Sequence, residues 1–252
     1  MIRITNLWKK YGKLTVLKGL NLEVRQGEIL VILGRSGVGK SVLLRHIIGI
    51  EKPDFGSIDV AGVTITSLKK NQIYHAVRNM GMLFQGAALF DSMNIEENTG
   101  FYLAQHGDTV TGKKFPPEVI QQKVKAALEM VGLEGTEHKM PSDLSGGMRK
   151  RAGLARLIVY RPSILLYDEP TTGLDPITAQ QINELIVKTQ NELKGTSIVV
   201  THDINSALFI ADRLALHQDG QIVYVAEPEL FMEFDNPTIR FLKETQAKRK
   251  KQ

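Results

Sequence analysis

The chain has 252 residues, 42% of them hydrophobic, enough to bury a substantial core in one large domain or in a domain carrying an inserted subdomain. It has no cysteine, which excludes disulfides, thiolate metal sites and cysteine nucleophiles, and its six histidines include no i, i+4 pair of the kind zinc uses on a helix. The net charge is +5, but Lys243, Lys248, Arg249, Lys250 and Lys251 against Glu244 place +4 of it in the final residues, so the body lacks the basic stripe a nucleic-acid surface needs.

In chain order, "IRITNLW" and "LNLEV" read as short, partly alternating strands, and "EILVILG" as a strand covered on both faces. Gly34-Arg35-Ser36-Gly37-Val38-Gly39-Lys40-Ser41 follows, matching the phosphate-loop pattern G-x-x-x-x-G-K-[ST]. Glycines let successive amides point at a phosphate, and the helix start adds a positive field. Lys40 supplies a mobile ammonium for the β- and γ-phosphates, and the Ser41 hydroxyl can ligate Mg²⁺. A helix should follow, with Val42, Leu43, His46, Ile47 and Ile50 as its apolar face.

"MGMLF" is a further buried strand, ended by Gln85, whose amide can reach both metal and water. From about 85 to 158 helical patterns dominate, as in "PPEVIQQKVKAALEMVG", suggesting an inserted helical subdomain. Within it, "DLSGGMRKRAGLARLI" sets a serine and two glycines ahead of a basic amphipathic helix, a second start able to hold an anion. "SILLYDEP" ends a buried strand in Asp168, placed to hold Mg²⁺, with Glu169 next to polarise the attacking water. Asp175-Pro176 opens a helix whose stripe is Ile182, Leu185, Ile186 and Leu193. "TSIVVTHD" ends in His202, able to reach a γ-phosphate, and "RLALHQDGQIVYVA" is a hairpin turning at Asp219-Gly220. The remainder, from "EPELF" onward, gives one or two short helices in a body of residues 1–242 and a solvated basic tail over 243–252. Strands alternating with helices indicate an α/β fold with a mainly parallel central sheet.

The phosphate loop, Gln85, "LSGGM", "ILLYDEP", "TGLD" and "THD", in that order, resemble the ATP-binding subunit of an ATP-binding-cassette (ABC) transporter over residues about 2 to 225. The resemblance implies a P-loop NTPase (RecA-like) core, an N-terminal antiparallel β subdomain and a helical signature subdomain. It also implies two copies packed head to tail, each ATP lying between one copy's phosphate loop and the other's Ser145, Gly146 and Gly147, with Asp175 in a loop crossing the interface. Tyr11 matches the family's adenine-stacking position, with Trp8 as a nearby alternative, and Ala87, Ala88, Leu89 and Phe90 fall where a permease helix docks. Met148 stands where the family's commonest signature has glutamine, and a thioether cannot replace that amide's hydrogen bonds.

The stretches "GRSGVGKSVLLRHIIG", "GAALFDSMNIEENTGFYL" and "LSGGMRKRAGLARLI" extend the resemblance to MCE-type (Mla) lipid-transport cassettes, to which a signature methionine is suited. This implies an ATPase using ATP and Mg²⁺ at the cytoplasmic face of a bacterial inner membrane. Its partners would be a permease, a periplasmic MCE-domain protein and a small cytosolic regulator, and no nucleic acid. No apolar run reaches the ~18 to 20 residues that cross a bilayer, so a cytosolic chain is expected to meet the membrane through a partner. A cassette for another solute, a soluble non-transport ABC ATPase and a P-loop kinase are the alternatives. In a kinase "LSGG", Glu169 and His202 would have no obvious role.

Overall fold

The computed structural model describes residues 2–108 and 111–241. In chain order it contains β1 (Ile2–Tyr11), β2 (Leu14–Val24), β3 (Ile29–Leu33), α1 (Lys40–Ile47), β4 (Phe55–Val60), β5 (Val63–Thr64), α2 (Lys70–Val77) and β6 (Met80–Leu83). There follow α3 (Ile95–His106), α4 (Pro117–Met130), α5 (Gly146–Ile158), β7 (Ile164–Asp168) and α6 (Pro176–Leu193). The chain then forms β8 (Thr196–Thr201), α7 (Ile204–Ile210), β9 (Arg213–Gln218), β10 (Gln221–Ala226) and α8 (Pro228–Glu233). It divides into two units, the described parts of Met1–Ala76 with Thr196–Gln252, and of Val77–Gly195. The basic tail 243–252 lies outside the described residues.

In the first unit an antiparallel sheet has the order β2-β1-β4-β5. β1 and β2 are longer than the sequence pattern suggested, pairing from Ile2↔Val24 to Tyr11↔Leu14 around Gly12. Register shifts at Leu7/Trp8 and Lys9/Lys10 break the two-residue alternation that would have revealed the outer half. The second group of strands runs β10-β9-β3-β8, with β3 parallel to both neighbours. Every residue of β3 and β8 is buried, which is why both read as continuous apolar runs. Asp219 (φ 51°) and Gly220 (φ 84°) make the β9–β10 turn as expected. A Cβ on Gly220 would lie 2.7 Å from the Val16 carbonyl, so the turn packs directly on β2. α1 ends at Ile47, short of Ile50, which is 60% exposed: Gly49 turns left-handed and its N–H closes onto the His46 carbonyl at 3.1 Å.

In the second unit β6 and β7 pair in parallel from Met80↔Ile164 to Leu83↔Tyr167, all buried. Between them the described chain is mainly helical. α3 starts at a capping box in which Asn94 Oδ1 accepts from Glu97 N at 2.8 Å and Glu97 accepts from Asn94 N at 2.9 Å. α3 meets α4 at Gly100, where a Cβ would lie 3.1 Å from an Ile120 methyl. α5 lies on β6 at Gly81, where a Cβ would be 2.0 Å from Leu157 Cδ1. α6 buries Ile182 and Ile186 with the polar Asn183, Thr189 and Gln190, while Leu185 and Leu193 are only half-buried. The expected stripe is therefore rotated toward polar residues, and Gln190 Nε2 donates to the Gly195 carbonyl at 2.6 Å.

Candidate active site

β3 delivers the phosphate loop at its carboxyl end. Gly37 (φ 82°) and Gly39 (φ 105°) are left-handed, and a Cβ on Gly39 would stand 2.5 Å from Val16 Cγ1. A Cβ on Gly34 would stand 2.6 Å from the His217 carbonyl. Arg35, Ser36 and Gly37 are exposed, Val38 is half-buried, and Ser41 is the second residue of α1. Lys40 is buried, and its Nζ donates to the Gly34 and Arg35 carbonyls at 2.8 and 3.0 Å, curling across the loop. A glycine loop that ends a buried strand, opens a helix and is crossed by one ammonium suits a polyphosphate.

His202, at the end of β8, joins Leu33, Gly34, Arg35 and Ser36 around a cavity of about 420 Å³. Pro237, Thr238 and Phe241 form its other wall, a contribution the sequence did not reveal. Sequence reasoning also missed His217, in β9. Its ring is buried against the loop glycines, and neither nitrogen has a hydrogen-bond partner among the described residues. Burial, with the Lys40 ammonium adding to it, pushes the imidazole down to about 4, so it is neutral at physiological pH. The available signal was a polar residue near the carboxyl end of an apolar strand, the same signal that marked His202.

Tyr11 ends β1, 41% exposed, and its hydroxyl donates to Glu51 Oε1 at 2.5 Å. Lys9 pairs with Glu51 at 3.2 Å and lies over the Tyr11 ring at 5.3 Å. Desolvation, the Glu51 hydrogen bond and its charge push the phenol up to about 12. Trp8 is committed elsewhere: its indole donates to Asn6 at 2.9 Å and a Cβ on Gly19 would touch its ring at 3.3 Å. Tyr11 is thus the residue with a held, accessible ring.

In the second unit, Asp168 ends β7 and Glu169 follows, both buried. Glu169 is left-handed (φ 48°), and Thr172 Oγ1 donates to its Oε2 at 3.1 Å. Gln85 is exposed just beyond β6. Lys150 of α5 donates to the Gln85 carbonyl at 2.5 Å and to the Glu169 carbonyl at 3.3 Å, so the structure brings Gln85 and Glu169 onto one side chain. Ser145 caps α5, its Oγ accepting from Met148 N at 3.3 Å, so residue 148 serves the cap through its main chain. Gly146 and Gly147 pack on the "TGLD" segment and its helix: a Cβ on Gly146 would be 3.7 Å from Leu174, and one on Gly147 2.5 Å from Thr178 Cγ2. Asp175 accepts from the Ile177 and Thr178 amides at 3.0 Å and from the Thr178 hydroxyl at 2.5 Å, and these bonds hold its carboxyl below the usual range. The segment expected to face a permease divides: Ala87 is buried beneath α5, while Ala88 and Phe90 are exposed.

Residues 17–172 match the family model described as ABC transporter. The chain belongs to the ABC transporter family. It is 38% identical over 239 residues to the probable ribonucleotide transport ATP-binding protein mkl of Mycobacterium leprae, covering 95% of this chain and 67% of that one. It is 39% identical over 244 residues to the intermembrane phospholipid transport system ATP-binding protein MlaF of Haemophilus influenzae, covering 96% and 90%. A solved ATP-binding cassette, MJ0796, dimeric in a post-hydrolysis state with ADP and Pi, is 31% identical with a TM-score of 0.82, covering 90% and 99%. This ABC cassette is accordingly a P-loop NTPase and an ATPase.

Proposed function

We propose that this cassette is the ATP-hydrolysing subunit of a membrane transporter, working as a head-to-tail pair, with phospholipid as its cargo. One observation carries the paired reading. Among the described residues two helices start at glycines, α1 and α5, and Lys40 is folded over the first. The second serves the nucleotide of the opposite copy. Support for the cargo comes from the MlaF relative and the methionine-containing signature.

The donor set fits Mg²⁺: a hydroxyl and one carboxylate completed by phosphate oxygens is this ion's ordinary habit. The proposed ligands are Ser41, Asp168 and Gln85, and the ion would withdraw charge from the phosphoryl oxygens. Amides of residues 35–41 and Lys40 bind the phosphates, the Gly34 N–H being given to the Thr201 carbonyl at 3.3 Å, and the Tyr11 ring takes the adenine. Glu169 accepts a proton from the water that attacks the γ-phosphorus, while the bond to the β-phosphate oxygen breaks and ADP leaves. Gln85 and His202 orient the water and γ-phosphate. The partner's Ser145, Gly146 and Gly147 neutralise charge on the transferred group. ATP favours the closed pair because it touches both faces only there, and loss of the γ-phosphate removes that differential affinity.

No helix among the described residues is long and apolar enough to cross a membrane. The proposed location is the cytoplasmic face of a bacterial inner membrane, reached through a permease, with a periplasmic MCE-domain protein and a small regulator in the same complex. Affinity purification from native membranes followed by protein and lipid mass spectrometry tests this. Permease, MCE-domain protein and bound phospholipid are expected together. A permease for another solute, free of phospholipid, would overturn the cargo and leave the ATPase standing.

A further inference from the structure

We infer that Lys150 is a positioning residue for hydrolysis, its buried ammonium gripping the main chain of Gln85 and Glu169 so that α5 sets where the base points. The inference rests on the reading of Glu169 as general base.

Lys150 is 6% exposed, and a buried ammonium is tolerated only where polar partners replace water. Its Nζ meets the Gln85 carbonyl at 2.5 Å and the Glu169 carbonyl at 3.3 Å. Burial pulls this amine below its ordinary range, and the Asp168 and Glu169 carboxylates oppose that pull. The gripped main chain is strained: Glu169 has φ 48°, and beyond Gln85 both Ala87 (φ 62°) and Ala88 (φ 50°) are left-handed. Such conformations in residues with a Cβ persist only where their surroundings hold them.

The same helix face supplies more of that hold. Arg156 donates to the Ala88 carbonyl at 2.6 Å and the Ala87 carbonyl at 3.4 Å. Between the two cations, a Cβ on Gly153 would lie 2.9 Å from both Ala87 Cβ and Leu83 Cδ1, so the backbones approach closely. Residues 150, 153 and 156 recur at threefold spacing along one face. Ser145, which caps this helix and in the paired reading touches the partner's nucleotide, is little more than one turn from Lys150. A shift of α5 against the partner's phosphate therefore reaches the main chain of this copy's own base.

The test uses the full chain, co-purified with its membrane partners, and ATP as substrate. Lys150→Met should lower kcat about 10- to 100-fold, the scale of an ångström-sized misplacement, with KM for ATP changed less than about twofold. Lys150→Arg, which can still donate to both carbonyls, should restore most of the rate. In a Glu169→Gln background the Lys150→Met loss should vanish, because Lys150 acts through Glu169. Wild-type kcat in Lys150→Met, or the same fold loss in both backgrounds, would overturn the inference. If Lys150→Met does not fold, Lys150→Gln is read by the same two criteria. Wild-type turnover in Glu169→Gln alone would instead remove the reading of Glu169 on which the inference stands.

Discussion

Glu169 is bent into a left-handed conformation at the end of a fully buried strand, with a threonine hydroxyl on its carboxylate. Strain of that kind is sustained where a side chain must be aimed. Glu169→Gln keeps the shape and removes the proposed base, so steady-state turnover should fall by ~10²- to 10⁴-fold while equilibrium ATP binding is retained. His217 makes a different prediction. Its folded pKa, about 4, lies below the ordinary value, so between the two the unfolded chain takes up a proton that the folded chain refuses. Stability must then fall as pH drops from about 6.5 toward 4, by at most about 3 kcal/mol from this residue. His217→Leu should flatten that part of the melting-temperature profile, and an unchanged profile would show that other groups govern it. The placement of the phosphate loop, Asp168 and His202 at the ends of buried strands was legible because those strands are continuously apolar. Lys150 was not, since nothing in the order of residues says which face of a helix closes over a bend in the main chain, and His217 offered only the strand-end signal that had marked His202.

The helices of the second unit depend on their ends. Asn94 and Glu97 satisfy each other's amides, and Asn94→Ala should cost about 1 kcal/mol in a denaturant titration. At the start of α5 the constraint is steric: a methyl on Gly147 would meet Thr178 Cγ2 at 2.5 Å, and Thr178 cannot swing away without giving up its bond to Asp175. Gly147→Ala should therefore impair ATP turnover, and adding Thr178→Ser, which deletes the methyl and keeps the hydroxyl, should restore most of it. No recovery would mean that the glycine is needed for close approach to a ligand alone. Strand positions β3, β6, β7 and β8 were readable from their apolar runs. The outer halves of β1 and β2 were hidden by register shifts, and α1 was overextended because Ile50 continues its apolar spacing past a left-handed glycine. α6 misled for the opposite reason, burying the polar Asn183, Thr189 and Gln190, the last of which donates to the Gly195 carbonyl.

At the scale of the molecule, the fold and the ATP chemistry followed from motifs whose residue types are dictated by phosphate and water. The cargo was legible only through resemblance, because the motif residues are those proposed to serve ATP, and relatives of nearly equal identity are named for ribonucleotide and for phospholipid transport. In the proposed reading the second glycine-bearing helix start, at α5, serves a second copy. The most direct measurement is the solution mass of the Glu169→Gln chain with and without ATP. The account predicts a doubling of the 28.1 kDa mass on adding ATP, abolished when Ser145→Arg is introduced alongside. A mass that ignores ATP, or a doubling that survives Ser145→Arg, would contradict it.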